Sequence, residues 1–74
     1  MSEIKMMGLE IGEDGYTEWR NNGGVIERRF LYARDSARWE SVALTPDCPR
    51  TAKELKACCK AGGFGYRAPA RARG

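Results

Sequence analysis

The stretch YTEWRNNGGVIERRFLY, residues 16–32, decides the fold of this chain. Its centre, Asn21-Asn22-Gly23-Gly24, consists of residue types that tolerate positive φ and favour the tight turn of a β-hairpin. Polar and apolar residues alternate over Tyr16–Arg20, and Val25–Arg34 reads as the longest strand, with two unlike faces. The stretch therefore predicts two antiparallel strands joined by a tight turn.

The residues before this hairpin predict a first strand over residues 3–12. Its apolar positions change parity, because Ile4 and Met6 share one face whereas Met7, Leu9 and Ile11 fall on the other. A shift of one residue turns side chains to the opposite face, so we expect a β-bulge near Met7-Gly8. Gly12-Glu13-Asp14-Gly15 then supplies the turn into the next strand.

The residues after the hairpin predict a further strand and then a change of structure. Asp35-Ser36-Ala37 reads as a tight turn, and Arg38–Leu44 as a fourth strand. These segments predict an antiparallel β-meander of three or four strands. The supply of apolar residues suffices to cover one face of such a sheet and leave the other in water.

A single helix is predicted near the carboxyl end of the chain. Thr51 and Glu54 form a capping box, and Gly62-Gly63 supplies the stop. The helix face expected to pack on the sheet is formed by Ala52, Leu55, Cys58 and Cys59. The expected fold class is α+β, with one small domain over residues 1–62 and a flexible basic tail over residues 63–74.

Composition argues against most enzyme classes. Among 74 residues there are eleven Ile, Leu, Val and Phe together and no His. A core this thin leaves little room for an enclosed substrate pocket, and catalytic sites that depend on His are excluded. We therefore expect no catalytic residue, no metal site and no cofactor.

Three cysteines, Cys48, Cys58 and Cys59, are an odd number and include an adjacent pair. This arrangement favours buried thiols, with a bridge from Cys48 to Cys58 or Cys59 as the alternative in an oxidising environment. The chain shows no secretory signal pattern and no apolar run of membrane-spanning length. The expected location is the cytoplasm.

Charge is distributed unevenly along the chain. Residues 1–27 carry six acidic and two basic residues, whereas residues 28–74 carry eleven basic and four acidic residues. The net charge of +3 is the sum of −4 and +7. Such a division predicts contact with a nucleic acid or with a protein surface that carries both signs of charge.

The candidate partner-binding residues combine arginines with aromatic side chains, and we expect the strand arginines to cluster at one end of the sheet. Exposed Trp19 or Trp39 would serve as an anchor, since Trp and Arg dominate interface hot spots. The set on the strands is Trp19, Arg28, Arg29, Tyr32, Arg34, Arg38 and Trp39. The set expected in the tail is Phe64, Tyr66, Arg67, Arg71 and Arg73.

The small size, the Met1-Ser2-Glu3 start, the Arg/Ala-rich end and the lack of an enzyme's residue set occur together in this chain. In these features the whole chain resembles small phage-encoded proteins that take over host machinery, and among them the lytic-phage transcription regulators that bind bacterial RNA polymerase. The resemblance implies a non-enzymatic, monomeric regulator in the host cytoplasm that inhibits initiation or suppresses termination, close to DNA or RNA.

Two other functions fit the same sequence. One is direct nucleic-acid binding, in which the sheet contacts a groove and the basic tail follows the backbone, as in small sheet-based domains of phage integrases. The other is inhibition of a CRISPR system, since anti-CRISPR proteins have a similar size.

Overall fold

The computed structural model describes residues 3–32, 35–36 and 38–69. Six strands and one helix lie within them, which confirms the α+β class with an antiparallel meander. The elements are β1 (Ile4–Ile11), β2 (Tyr16–Asn22), β3 (Val25–Tyr32), β4 (Asp35–Ser36), β5 (Glu40–Ser41), α1 (Ala52–Gly62) and β6 (Gly65–Arg67).

All strand pairs are antiparallel, in the order β4-β3-β2-β1-β6. The strand β5 also pairs with β3, at Glu27 and Arg28, whereas β4 pairs with β3 at Leu31 and Tyr32. Two short strands thus lie along the outer edge of β3. The predicted fourth strand over Arg38–Leu44 is therefore reduced to Glu40–Ser41 in its regular part.

The turn predicted at Asp35-Ser36-Ala37 is wrong for its first two residues. Asp35 and Ser36 are strand residues that pair with Tyr32 and Leu31 at the end of β3. Ala37 lies outside the described residues. Backbone pairing with β3 satisfies peptide groups that a turn would leave to water.

The hairpin at the centre of the sheet is confirmed. Gly23 and Gly24 form a two-residue turn with φ of 62° and 97°, values that favour glycine. The backbone N–H of Gly24 donates to the side-chain oxygen of Asn21 at 2.7 Å. Because the turn needs only the two glycines, β2 continues to Asn22, two residues beyond its predicted end at Arg20.

The predicted bulge in β1 is also confirmed. Met6 pairs with Arg20 and Gly8 with Trp19, so Met7 has no opposite residue on β2. The side chain of Met7 enters the core and is 3% exposed. The prediction that Met7 shares a face with Leu9 and Ile11 is therefore wrong, because the extra residue of the bulge turns Met7 toward the helix side. The bulge restores the pattern, because Ile4 and Met6 before it share a face with Leu9 and Ile11 after it.

The ends of α1 match the sequence signals. The Thr51 side chain accepts a hydrogen bond from the backbone N–H of Glu54 at 3.1 Å, which satisfies an otherwise free donor of the first turn. Gly63 adopts the left-handed conformation at φ 79°, and the N–H of Phe64 donates to the Cys59 carbonyl at 2.8 Å. Both caps are thus formed by the predicted residues.

The core lies between α1 and one face of the sheet. Leu55 and Cys59 of the helix are 1% and 0% exposed. Cys58, predicted on the same face, is exposed, because one residue of helix turns a side chain by about 100°. All three cysteines are free thiols, so the structure does not contain the alternative disulfide. The buried set is Met7, Trp19, Ile26, Cys48, Leu55 and Cys59.

The chain beyond residue 62 was predicted to be a tail, and this is wrong for Gly65–Arg67. These residues form β6 and pair with Leu9–Ile11 of β1. Tyr66 packs against the core, and its hydroxyl donates to the Met7 carbonyl at 2.7 Å. Burial of the ring and this hydrogen bond fix the segment on the sheet, so the domain extends beyond residue 62. Residues 70–74 lie outside the described residues.

Candidate docking surface on the open sheet face

The sheet has one face under α1 and one face without a helix. Side chains alternate along a strand, and residues paired across strands point to the same side. Trp19 and Ile26 lie under the helix, so their neighbours along each strand point to the other side of the sheet, together with the residues paired with those neighbours. We call this side the open face. The open face carries Ile4, Met6, Leu9, Ile11, Tyr16, Glu18, Arg20, Asn22, Val25, Glu27, Arg29, Leu31 and Arg67.

The centre of the open face is a pair of cross-strand ion pairs. Arg20 Nε lies 2.7 Å from Glu27 Oε1. Arg29 Nη2 lies 2.8 Å from Glu18 Oε1. The four side chains are only 15–29% exposed, so the pairs are partly shielded from water. Each arginine charge is therefore balanced by its own carboxylate.

Trp39 lies over this cluster. The Cζ atoms of Arg20 and Arg29 are 4.0 and 4.4 Å from the centre of its ring. A guanidinium over an indole ring is attracted by the ring's negative face. The two stacked arginines hold a partly buried tryptophan at the middle of the open face.

Apolar side chains surround the cluster and remain exposed. Ile4, Ile11 and Val25 are 53%, 42% and 47% exposed, while Met6 and Tyr16 are each 39% exposed. A cleft of about 410 Å³ runs beside β1, where Met6 and Leu9 face Arg67, Ala68 and Pro69. Exposed apolar area concentrated around a fixed tryptophan is typical of protein-binding surfaces.

The expectation that Trp19 is exposed is wrong. Trp19 is 7% exposed and belongs to the core, because its position on β2 turns it toward α1. Its Nε1 is buried without a hydrogen-bond partner among the described residues. Of the two predicted tryptophan anchors, Trp39 is the one that lies on the open face.

The expected arginine cluster beside Tyr32 and Trp39 does not form as predicted. Arg28 and Arg29 are neighbours on β3 and so point to opposite sides of the sheet. Arg29 lies under Trp39, whereas the Cζ of Arg28 lies 5.7 Å from the Trp19 ring. Strand alternation therefore separates residues that are adjacent in sequence.

The remaining candidate residues are scattered over the molecule. Arg28, Tyr32, Arg38, Phe64 and Arg67 are exposed, and Tyr66 packs on the core. Arg34, Arg71 and Arg73 lie outside the described residues. Among the described candidates, the structure thus brings Arg29 and Trp39 into contact on the open face, where Arg67 also lies, and places Arg28 beside the buried Trp19.

The sequence interpretation missed Glu18 and Arg20 as members of the surface. The signal for them is symmetry about the Gly23-Gly24 turn. Arg20 and Glu27 are equally far from that turn, and so are Glu18 and Arg29, which makes each pair direct cross-strand partners. Opposite charges at such positions predict ion pairs.

Among the described residues, two side chains that pack on the helix side of the sheet, Cys59 and Tyr66, have raised pKa values. Burial, and next the charge of Glu10, raises the pKa of the Cys59 thiol, which reduces its nucleophilic thiolate form. Burial also raises the pKa of the Tyr66 hydroxyl. In the part of the chain that the structure describes, no group of three or more potential ligands is placed to hold a metal ion.

No protein family model matches this chain, and no curated protein or solved structure is significantly similar to it. Within the described ranges, no helix has the length and apolar character needed to cross a membrane.

Proposed function

We propose that this chain is a non-enzymatic regulatory protein that binds a large protein complex through its open face. The observation that carries the proposal is the stack of Trp39 on Arg20 and Arg29, two arginines that are already ion-paired. A tryptophan held in place loses little side-chain freedom on binding, which favours it as an interface anchor.

The charge balance of the open face favours a protein over a nucleic acid. Phosphate contacts require cations that can neutralise them. Arg20 and Arg29 are bound to Glu27 and Glu18 at 2.7 and 2.8 Å, so they supply little free positive charge. The surrounding exposed apolar residues suit a partner surface with an apolar centre and few charges.

Bacterial RNA polymerase is the first partner to test, because the chain resembles phage regulators of that enzyme. On this proposal the protein acts as a monomer in the cytoplasm and changes initiation or termination without chemistry of its own. Direct nucleic-acid binding and inhibition of a CRISPR complex are the competing outcomes.

The test measures binding of the purified full chain to immobilised bacterial RNA polymerase by biolayer interferometry. Trp39→Ala should weaken binding about 30-fold, the effect expected of a hot-spot residue. Leu44→Ala is the matched control, because Leu44 is 56% exposed and lies outside the strands. Circular dichroism must show that both variants remain folded.

Three results would contradict parts of the proposal. Unchanged binding by Trp39→Ala would exclude the open face as the docking surface. Retention of another complex instead of RNA polymerase would contradict the partner. Binding to DNA or RNA probes that weakens steeply with salt would favour the nucleic-acid function.

A further inference from the structure

A second surface lies at the end of the sheet where β1 turns into β2, on the helix side. Two phenylalanines, Phe30 of β3 and Phe64 after α1, line one cleft of about 250 Å³ there. They are 47% and 49% exposed, although large aromatic side chains are usually buried. We call this the aromatic cleft; the rest of its lining is Glu10, Gly12, Glu13, Asp14, Gly15, Tyr16 and Thr17.

Both rings are held in place by their surroundings. A Cβ built on Gly15 would lie 3.0 Å from the Cζ of Phe30, so this ring packs closely on the turn. Tyr32 contacts Phe30 edge-on, with the ring centres 5.5 Å apart. A Cβ on Gly62 would lie 3.0 Å from Phe64 Cδ2, which places that ring against the helix end. The aromatic walls are thus formed before any partner binds.

The charges in the lining select the partner. Glu10, Glu13 and Asp14 line the cleft, and no Lys or Arg does so among the described residues. The ion pairs of the described residues involve Glu3, Glu18 and Glu27, which leaves the cleft carboxylates without a cation partner there. Exposed phenyl rings and free carboxylates together complement a group that is flat, apolar on its faces and positively charged.

We infer that the aromatic cleft binds an arginine side chain presented by a basic segment of a partner protein. A guanidinium can stack on a phenyl ring and donate paired hydrogen bonds to a carboxylate at the same time. Its attraction to the ring face adds to its attraction to the acids. Phe30 points to the other side of the sheet from Trp39, so the aromatic wall of the cleft does not depend on Trp39.

The test uses NMR titration of the isotope-labelled full chain with N-acetyl-Gly-Arg-Gly-amide. Saturable shifts should appear at Phe30, Phe64 and the residues of the Gly12–Gly15 turn. The same peptide with citrulline, which has nearly the same shape without the charge, should cause none. Added salt should weaken binding of the arginine peptide, since salt screens exposed ion pairs.

Variants identify the groups responsible. The double variant Glu13→Gln/Asp14→Asn should bind the arginine peptide about 5–10-fold more weakly, the sum of two exposed ion pairs. Phe64→Leu should weaken binding of the arginine peptide about 2–5-fold, because the aromatic face is lost. Glu3→Gln, an exposed acid at the other end of β1, is the matched control and should not change affinity. Trp39→Ala should also have no effect.

Several results would overturn the inference. One is the absence of saturable shifts with the arginine peptide, or equal shifts with the citrulline peptide. Another is that CaCl₂ saturates the same turn and displaces the peptide, which would make the cleft a metal site. A third is that the same resonances shift with protein concentration alone, which would assign the cleft to a second copy of this chain.

Discussion

Replacement of Gly8 by alanine is expected to loosen the edge of the sheet at β6. Gly8 has φ +140°, a conformation that L-residues adopt only with strain. A Cβ there would lie 2.5 Å from Cε1 and 2.7 Å from Cζ and the hydroxyl oxygen of Tyr66. The ring would have to move, and its hydrogen bond to the Met7 carbonyl would be lost.

The expected loss in the free energy of unfolding has two parts. Backbone strain at this φ contributes about 1–3 kcal/mol. Overpacking against the ring contributes about 1–3 kcal/mol more. Small domains have free energies of unfolding of about 0.05–0.15 kcal/mol per residue, or roughly 4–11 kcal/mol for a chain of this length. The variant Gly8→Ala should therefore lose a large part of the total stability.

A double-mutant cycle with Tyr66→Leu separates the two parts. Leucine keeps an apolar side chain but lacks the outer ring atoms that would meet the new methyl group. In the Tyr66→Leu background, Gly8→Ala should cost only the backbone strain, giving a coupling energy of about 1–3 kcal/mol. Urea unfolding followed by circular dichroism measures all four proteins. An equal cost of Gly8→Ala in both backgrounds would refute the assigned clash.

Other predictions follow from the caps, the ion pairs, the tryptophans and the thiols. Thr51→Ala should lower the free energy of unfolding by about 1 kcal/mol in urea titration, while Thr51→Ser should largely preserve it. A cycle of Arg20→Ala and Glu27→Ala should show favourable coupling of about 1 kcal/mol, and zero coupling would contradict a shielded ion pair. Acrylamide should quench the fluorescence of Trp19 poorly in the Trp39→Phe variant and the fluorescence of Trp39 readily in the Trp19→Phe variant. The reverse order would contradict the burial assigned to the two side chains. The pKa of Cys59 is raised above the ordinary thiol value of 9.0, so unfolded chains release this proton at lower pH than folded ones. The contribution of Cys59 to stability should therefore be fully present below about pH 9 and be lost as pH rises through the folded pKa; an equally steep fall in Cys59→Ala would exclude this thiol as the cause.

Local sequence signals predicted most of the fold. The Gly23-Gly24 turn, the bulge at Met7 and both caps of α1 depend on short-range backbone chemistry, which a few residues specify. The strand β6 was missed because three residues of Gly-Tyr-Arg have no periodicity of their own. Its formation depends on contacts with β1, which lies far earlier in the chain. Glu10 of β1 and its partner Tyr66 of β6, for example, are 56 residues apart.

The candidate docking surface was only partly predictable. Composition selected Trp39 and Arg29 as candidate binding residues, but it also selected Trp19, whose side chain faces the helix. Alternation along β2 assigns each residue to a face, yet the face that α1 covers follows from the tertiary structure. The symmetry of charges about the central turn would have revealed the ion pairs without any structure.

The bulge at Met7 also bears on self-association of the sheet. Among the described residues, β6 covers β1 only at Leu9–Ile11, so the outer edge of Ile4–Met6 has no strand beside it. An exposed edge with isoleucine and methionine invites pairing between molecules, which leads to aggregation. The extra residue at Met7 interrupts the regular hydrogen-bond ladder directly after Met6. A second molecule therefore meets a straight edge of only three residues, Ile4–Met6, which is shorter than the roughly six or seven residues of a typical fibre-forming segment.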